Sequence, residues 1–433
     1  MTKEALTFII FGGTGDLAKR KLAPAFSELI HEGVVKKGST LIGISREDLS
    51  DEDYKHFLIK SVKDVKEKHH LEEINIKHLK IDFSKSKNIE QLSEALPSCE
   101  IEGCNRVYYL ATSYKLFPKI LEGLKKFKLI SKKDIFNRIV FEKPFGENLK
   151  SNDALEKKIH KIVDEKNVFR IDHYLGKESV QNIIALKFGS KGFQHLIDNE
   201  HIEQINVIID ETLGVGNRLS YYNDFGAIKD MIQNHLLQLL ALLLMDKPKE
   251  LISEKIHDEK VKILKEISFS NVENSLLGQY KSYKEELKER KLKRKKTETF
   301  AKIELNCNNE KYKGVKIFLR TGKKLPHRYG KIIIDFKNPQ NKIIINLQPN
   351  EDIEIIIDDK KLDKIDLCPD CKFSPNSRDA YEVLLKEIIN DKKNLFVRRD
   401  EIHEAWRIVD EIIRKKKEIP FVIYEDCSNP EKI

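Results

Sequence analysis

At 433 residues the chain exceeds what one hydrophobic core comfortably serves, so two domains are expected. Its composition, 40% apolar and 34% charged, fits a folded enzyme and excludes a disordered or fibrous chain. The net charge of +9 (79 basic against 70 acidic side chains) is spread along the sequence. Only residues 284–296 (KEELKERKLKRKK) form a dense basic run, read here as a solvated face, so neither nucleic acid nor a membrane is expected as a partner.

The opening residues 1–10 (MTKEALTFII) do not have the form of a secretory signal, which points to a reducing cytoplasm with free thiols for the six cysteines. The single pair Cys368-Pro-Asp-Cys371 lacks the further ligands a tetrahedral site needs, so no metal is expected. The longest apolar run, residues 236–245, is interrupted by Gln238 and falls short of the roughly 20 residues that cross a bilayer.

In chain order, residues 6–11 (LTFIIF) read as a strand running into glycines and then a helix from about residue 17. Further strands are expected at 40–44, 79–82, 106–110 and 138–141, separated by helical stretches, which is the pattern of a parallel, doubly wound sheet. A helix over 177–188 and another over 229–245 follow. Residues 300–306, 315–320, 331–336, 342–347 and 352–357 then read as consecutive strands of an antiparallel sheet, with closing helices at 379–389 and 401–414. The fold class expected is therefore an α/β Rossmann domain, residues 1–175, followed by a larger α+β domain, residues 176–433.

Gly12-Gly13-Thr14-Gly15-Asp16-Leu17-Ala18 lies between that first strand and first helix. Small residues at 12, 15 and 18 let the backbone turn tightly and approach a pyrophosphate, which then meets free N–H groups at the helix start. A dinucleotide is the expected cofactor. After the second strand stand Ser45 and Arg46; a guanidinium there suits the 2′-phosphate of NADP, although Glu47 and Asp48 follow.

Residues 170–178 (RIDHYLGKE) gather His173, Tyr174 and Lys177 before a helix start, which reads equally as a phosphate pocket or a polar turn. The helix over 229–245 carries His235, for which a core histidine is the simpler reading. The functional one is a general base that takes a hydroxyl proton while a hydride departs, with a carboxylate behind it to fix the tautomer.

Together these segments resemble the glucose-6-phosphate dehydrogenase family. GGTGDLAKRK (residues 12–21), EKPFG (142–146) and the highly specific RIDHYLGKE (170–178) carry the resemblance. QNHLLQ (233–238), DEKVKIL (258–264), LGQY (277–280), FLRTGK (318–323), QPNE (348–351) and EAWR (404–407) extend it in the same order. The resemblance implies oxidation of D-glucose 6-phosphate to 6-phospho-D-glucono-1,5-lactone with reduction of NADP, the entry to the pentose phosphate pathway. It implies His235 as general base with Asp172 as its carboxylate, and His173, Tyr174 and Lys177 on the substrate phosphate. Lys143 would serve sugar and nicotinamide alike, Glu211 and Asp230 the sugar hydroxyls, and Lys323 and Gln348 the rest of the pocket. Gly12, Thr14, Gly15, Asp16, Leu17, Arg46 and Lys143 would bind the cofactor, and a homodimer or homotetramer would form through the second domain's sheet.

The chain departs from the family pattern at several places. Ala111-Thr112-Ser113-Tyr114 replaces a proline-bearing loop, Gly214-Val215-Gly216-Asn217-Arg218 replaces GVEGR, and Asn223 and Lys229 stand for an aspartate and an arginine. Residues 193–197 (FQHLI) lack a Trp-Asn pair. Dual NAD/NADP use or relaxed hexose-6-phosphate specificity is the alternative within the family. A non-catalytic regulatory homologue is the other, but it would have no need of His235 or Lys143.

Overall fold

The structure, a computed structural model, describes residues 5–63, 69–96, 105–130, 137–189, 191–293, 295–362 and 378–433. The Cys368–Cys371 pair lies outside the described residues. The chain divides into two compact units, one of residues 1–146, 150–176 and 378–398, the other of residues 147–149, 177–377 and 399–433.

The first unit holds a six-stranded parallel sheet. Its strands are β1 (Thr7–Phe11), β2 (Thr40–Ser45), β3 (Asn75–Lys80), β4 (Arg106–Leu110), β5 (Asn137–Phe141) and β6 (Val168–Arg170), in the order β3-β2-β1-β4-β5-β6. β1 buries four of its five side chains and β4 all five, as strands of a sheet covered on both faces do, which is why both read as mainly apolar runs. Two elements differ from expectation. The third strand lies at 75–80 rather than 79–82, because its inward positions are Ile76 and the polar His78, which hide the alternation. The short sixth strand ends on Arg170, whose fully buried guanidinium is held by Glu156 at 2.6 Å and Glu165 at 2.7 Å. With only Val168 and Phe169 ahead of that arginine, the strand is too short to stand out as an apolar run.

Residues 378–398 complete this unit. The helix Ala380–Ile389 is tied to the β1–β2 crossover by Lys21–Asp379 at 2.6 Å and Lys386–Glu32 at 2.8 Å. The segment then reaches the sheet, where Val397 N–H donates to the Arg170 carbonyl at 3.0 Å.

The second unit carries a ten-stranded sheet. In chain order its strands are β7 (Ile202–Asp210), β8 (Ile267–Phe269), β9 (Leu276–Tyr280), β10 (Phe300–Cys307), β11 (Lys316–Gly322), β12 (Tyr329–Phe336), β13 (Lys342–Gln348), β14 (Asp352–Ile357), β15 (Lys360–Leu362) and β16 (Phe421–Tyr424). The order is β15-β14-β13-β12-β7-β11-β10-β9-β16, with β8 paired to β10. Most pairings are antiparallel, but β7 runs parallel to β11 and β16 parallel to β9. The expected run of strands 300–357 is present; the central strand β7, absent from the sequence reading, joins its two halves. In β12 and β13, Ile332, Ile334, Ile343 and Ile345 point inward at every second position.

The helical stretch Ile228–Leu236 and Leu237–Leu244 packs on β7 and β11 and is buried on all sides. It is covered in turn by the helices Ser253–Glu266 and Arg399–Lys415. Glu401, fully buried, joins those two through Lys260 and His257, each at 2.5 Å.

Candidate active site

The glycine turn follows from packing demands. Gly12 has φ +95°, and a Cβ there would lie 2.5 Å from the Ala111 carbonyl oxygen at the end of β4. Its N–H and that of Gly13 both donate to the Ile44 carbonyl, at 2.9 and 3.0 Å. Tyr54, wholly buried, fills the space beside Gly43, where any Cβ would stand 2.2 Å from its ring, and its hydroxyl donates to the Gly13 carbonyl at 3.1 Å. The turn thus lies flat on the sheet and leaves a cavity of about 750 Å³ at the carboxyl ends of β1, β2 and β4. That is the crevice where doubly wound sheets take their ligands, and the size suits a nucleotide.

Gly12, Thr14, Gly15 and Arg46 line this cavity, together with Ser45, Glu47, Asp82 and Thr112. Arg46 is exposed, with two carboxylates on the same wall. Asp16 and Leu17 begin the following helix, where Asp16 pairs with Arg20 at 2.7 Å. The missing Cβ of Gly12 and the exposed guanidinium beyond β2 fit a dinucleotide: one leaves room for a close backbone approach, the other offers charge to a phosphate.

Lys143 follows β5, joined to Pro144 by a cis peptide bond. Beside it Glu142 receives the Tyr109 hydroxyl at 2.5 Å and that of Tyr381. Burial pushes the Glu142 carboxyl up to about 7, against the opposing pull of those hydrogen bonds and of Lys143. Tyr381 also stacks on His173, with centroids 6.4 Å apart and planes at 11°. Asp172, 2% exposed, accepts the Tyr174 N–H at 3.0 Å, and the His173 and Tyr174 rings meet at 4.9 Å. A Cβ on Gly176 would reach 2.6 Å from the Ala380 carbonyl, so that glycine is what lets the helix Ala380–Ile389 seat on this turn. Sequence reasoning missed Tyr54, Tyr109 and Tyr381. Only Glu142 lay inside a quoted motif.

In the second unit, Lys177 Nζ donates to the Leu347 carbonyl and to Gln348 Oε1, both at 3.3 Å, which brings two expected substrate residues together. The helix Glu178–Gly189 does not present a vacant N-terminus: its Ser179 N–H donates to Glu351 at 2.7 Å. His235 is 1% exposed and sits in Ile228–Leu236, which winds as a π-helix. In that winding Asp230 precedes His235 by five residues, roughly one turn. Asp230, 1% exposed, is paired with Arg218 at 3.0 Å. Lys323 is ion-paired with Glu211 and lies over the ring of the fully buried Tyr222, 5.4 Å from its centroid. Arg218 and Tyr222 were not among the expected site residues. A buried imidazole, carboxylates for hydroxyl groups and ammonium groups for an anion constitute the chemistry available here.

Comparison with known proteins follows the same lines. The model for the NAD binding domain of glucose-6-phosphate dehydrogenase matches residues 9–182, and that for its C-terminal domain residues 184–432. Glucose-6-phosphate 1-dehydrogenase of Rhizobium meliloti is 35% identical, covering 95% of this chain and 91% of its own length. That of Buchnera aphidicola from Acyrthosiphon pisum is 36% identical, covering 96% and 92%. Among solved structures, a glucose-6-phosphate dehydrogenase in complex with glucose 6-phosphate matches with a TM-score of 0.84 and 28% identity, covering 99% and 96%. The enzyme from Mycobacterium avium matches with a TM-score of 0.84 and 27% identity, covering 98% and 94%.

Proposed function

The chain belongs to the glucose-6-phosphate dehydrogenase family, and from that premise we propose how its residues carry out the reaction. It oxidises C1 of D-glucose 6-phosphate to 6-phospho-D-glucono-1,5-lactone. The observation that carries this reading is the match over 99% of the chain to a family structure holding that substrate.

The first unit is the nucleotide domain and the second the substrate and oligomerisation domain. NADP is the acceptor, read by Arg46; when bound, its nicotinamide takes up the C1 hydride. His235 Nε2 receives the C1 hydroxyl proton as the C1–H bond breaks and the carbonyl forms, and Asp172 stabilises the imidazolium. A 1% exposed imidazole sheltered from water holds that proton where the alcohol gives it up. His173, Tyr174 and Lys177 bind the phosphate, Lys177 exchanging its Leu347 and Gln348 contacts for phosphate oxygens. Glu211, Asp230, Lys323 and Gln348 orient the sugar, and Lys143 sits on both ligands.

Dual cofactor use is the second reading, because Glu47 and Asp82 line the same cavity as Arg46 and offer carboxylates to an unphosphorylated ribose. Steady-state kinetics with glucose 6-phosphate, galactose 6-phosphate and free glucose, each with NADP and NAD, tests both. A kcat/KM for glucose 6-phosphate no better than for free glucose would refute the phosphate assignment; equal values for both cofactors would refute the NADP preference. No helix among the described residues is long and apolar enough to cross a membrane. A cytoplasmic location is proposed, by analogy with the Arabidopsis thaliana relative named cytoplasmic, 32% identical over 99% of this chain. A homodimer or homotetramer is proposed likewise, to be checked by light scattering.

A further inference from the structure

Ser45 closes β2, lines the nucleotide cavity and directly precedes Arg46. Its Oγ accepts the Glu47 N–H at 3.1 Å and lies 2.9 Å from His78 Nε2, on the neighbouring strand β3. On the other side of the ring, His78 Nδ1 meets the Leu49 carbonyl at 3.3 Å. A carbonyl can only accept, so Nδ1 carries the hydrogen, and the neutral ring leaves Nε2 to accept the serine's proton. Burial lowers the His78 pKa, in keeping with a neutral ring. The His78 backbone N–H donates to Asp51 Oδ1 at 2.7 Å, at the start of the helix Asp51–Lys63. The ring also rests 5.1 Å from that of Tyr54, whose hydroxyl holds the glycine turn. One inward-facing side chain, 7% exposed and unused in the chemistry, thus pins residues 45 and 49, on either side of Arg46, while the backbone of the same residue holds Asp51.

We propose that His78 is a positioning residue for cofactor selectivity: by holding Ser45 and Leu49 it fixes the loop that presents Arg46 to the 2′-phosphate of NADP. The inference rests on the reading of Arg46 as the ligand of that phosphate. NAD has no such group, and the glycine turn that serves its pyrophosphate is held by hydrogen bonds to Ile44 and Tyr54 in which His78 takes no part, its ring only packing beside that of Tyr54.

The test is binding rather than turnover: fluorescence titration of NADPH and of NADH onto the full-length protein and its variants. His78→Leu is expected to weaken NADPH roughly three- to tenfold, the equivalent of one or two lost hydrogen bonds, and NADH by less than twofold. His78→Gln, whose amide can accept from Ser45 and donate to Leu49, should recover most of the NADPH affinity. Equal losses for both nucleotides, no loss, or a glutamine variant no better than leucine would overturn the proposal. If His78→Leu does not give a cooperative thermal melt, Ser45→Ala replaces it, since it keeps the histidine and removes the tether together with the adjoining Glu47 N–H contact. Selective loss of NADPH there supports the proposal, and unchanged affinity overturns it. Arg46→Ala separates the two levels. Selectivity lost at Arg46 but not at His78 overturns the role of His78 alone, whereas equal weakening of both nucleotides at Arg46 overturns the phosphate reading beneath it.

Discussion

Replacing Glu142 by glutamine should change how stability depends on pH by an amount the structure sets. The carboxyl stands among Tyr109, Tyr381, Lys143 and Asp172, and burial raises its pKa from 4.5 to about 7. The folded chain therefore holds this proton more tightly than the unfolded one. Its contribution is fully present below about pH 4.5 and is lost as pH rises through 7. At about 1.4 kcal/mol per unit, most of the shift falls between pH 5 and pH 8, which amounts to about 2–3 kcal/mol. Glutamine keeps the shape and still accepts the Tyr109 hydroxyl but does not titrate. Urea denaturation of both proteins at pH 5 and pH 8, followed by a probe in the first unit, cancels every other titrating group. The wild type should lose about 2–3 kcal/mol relative to the variant across that interval. A stability difference that is the same at both pH values would refute the raised pKa and the buried contact with both tyrosines.

Other expectations are sharper in function or simpler in cause. His235→Asn should lower kcat by roughly 10²–10⁴-fold with little change in the KM for glucose 6-phosphate, as loss of a general base does; unchanged kcat in steady-state assays would remove His235 from the chemistry. Arg170→Met leaves Glu156 and Glu165 without their guanidinium and should cost about 3–5 kcal/mol of stability, measured by denaturant unfolding. Gly12→Ala drives a Cβ toward the Ala111 carbonyl at a backbone angle that side chains rarely adopt. It should abolish NADPH binding in a fluorescence titration while leaving the second unit's unfolding transition in place.

Much of the fold was legible because parallel strands buried on both faces become continuous apolar runs, and β1, β2, β4 and β5 stand where those runs predict. The glycine turn was legible because only a residue without Cβ fits against Ala111. The misplaced β3 and the missed β6 share a cause: each buries a polar side chain, His78 or Arg170, whose partners come from elsewhere in the chain. No periodicity records that kind of pairing. The strand β7 was missed although it is the middle of the larger sheet, because its neighbours β11 and β12 lie more than a hundred residues onward.

The sequence by itself determined the family, the dinucleotide turn and the residue types of the chemistry, since these depend on short segments whose spacing is local. Only the tertiary structure decided that Tyr381 meets Glu142 and His173, that Lys177 meets Gln348, and that Asp230 is held by Arg218. It also showed that Glu351, not an open helix end, takes the Ser179 N–H. The physical reason is that hydrogen bonds and ion pairs between distant segments form only after burial has brought them together, so their partners are chosen by packing rather than by neighbouring residues.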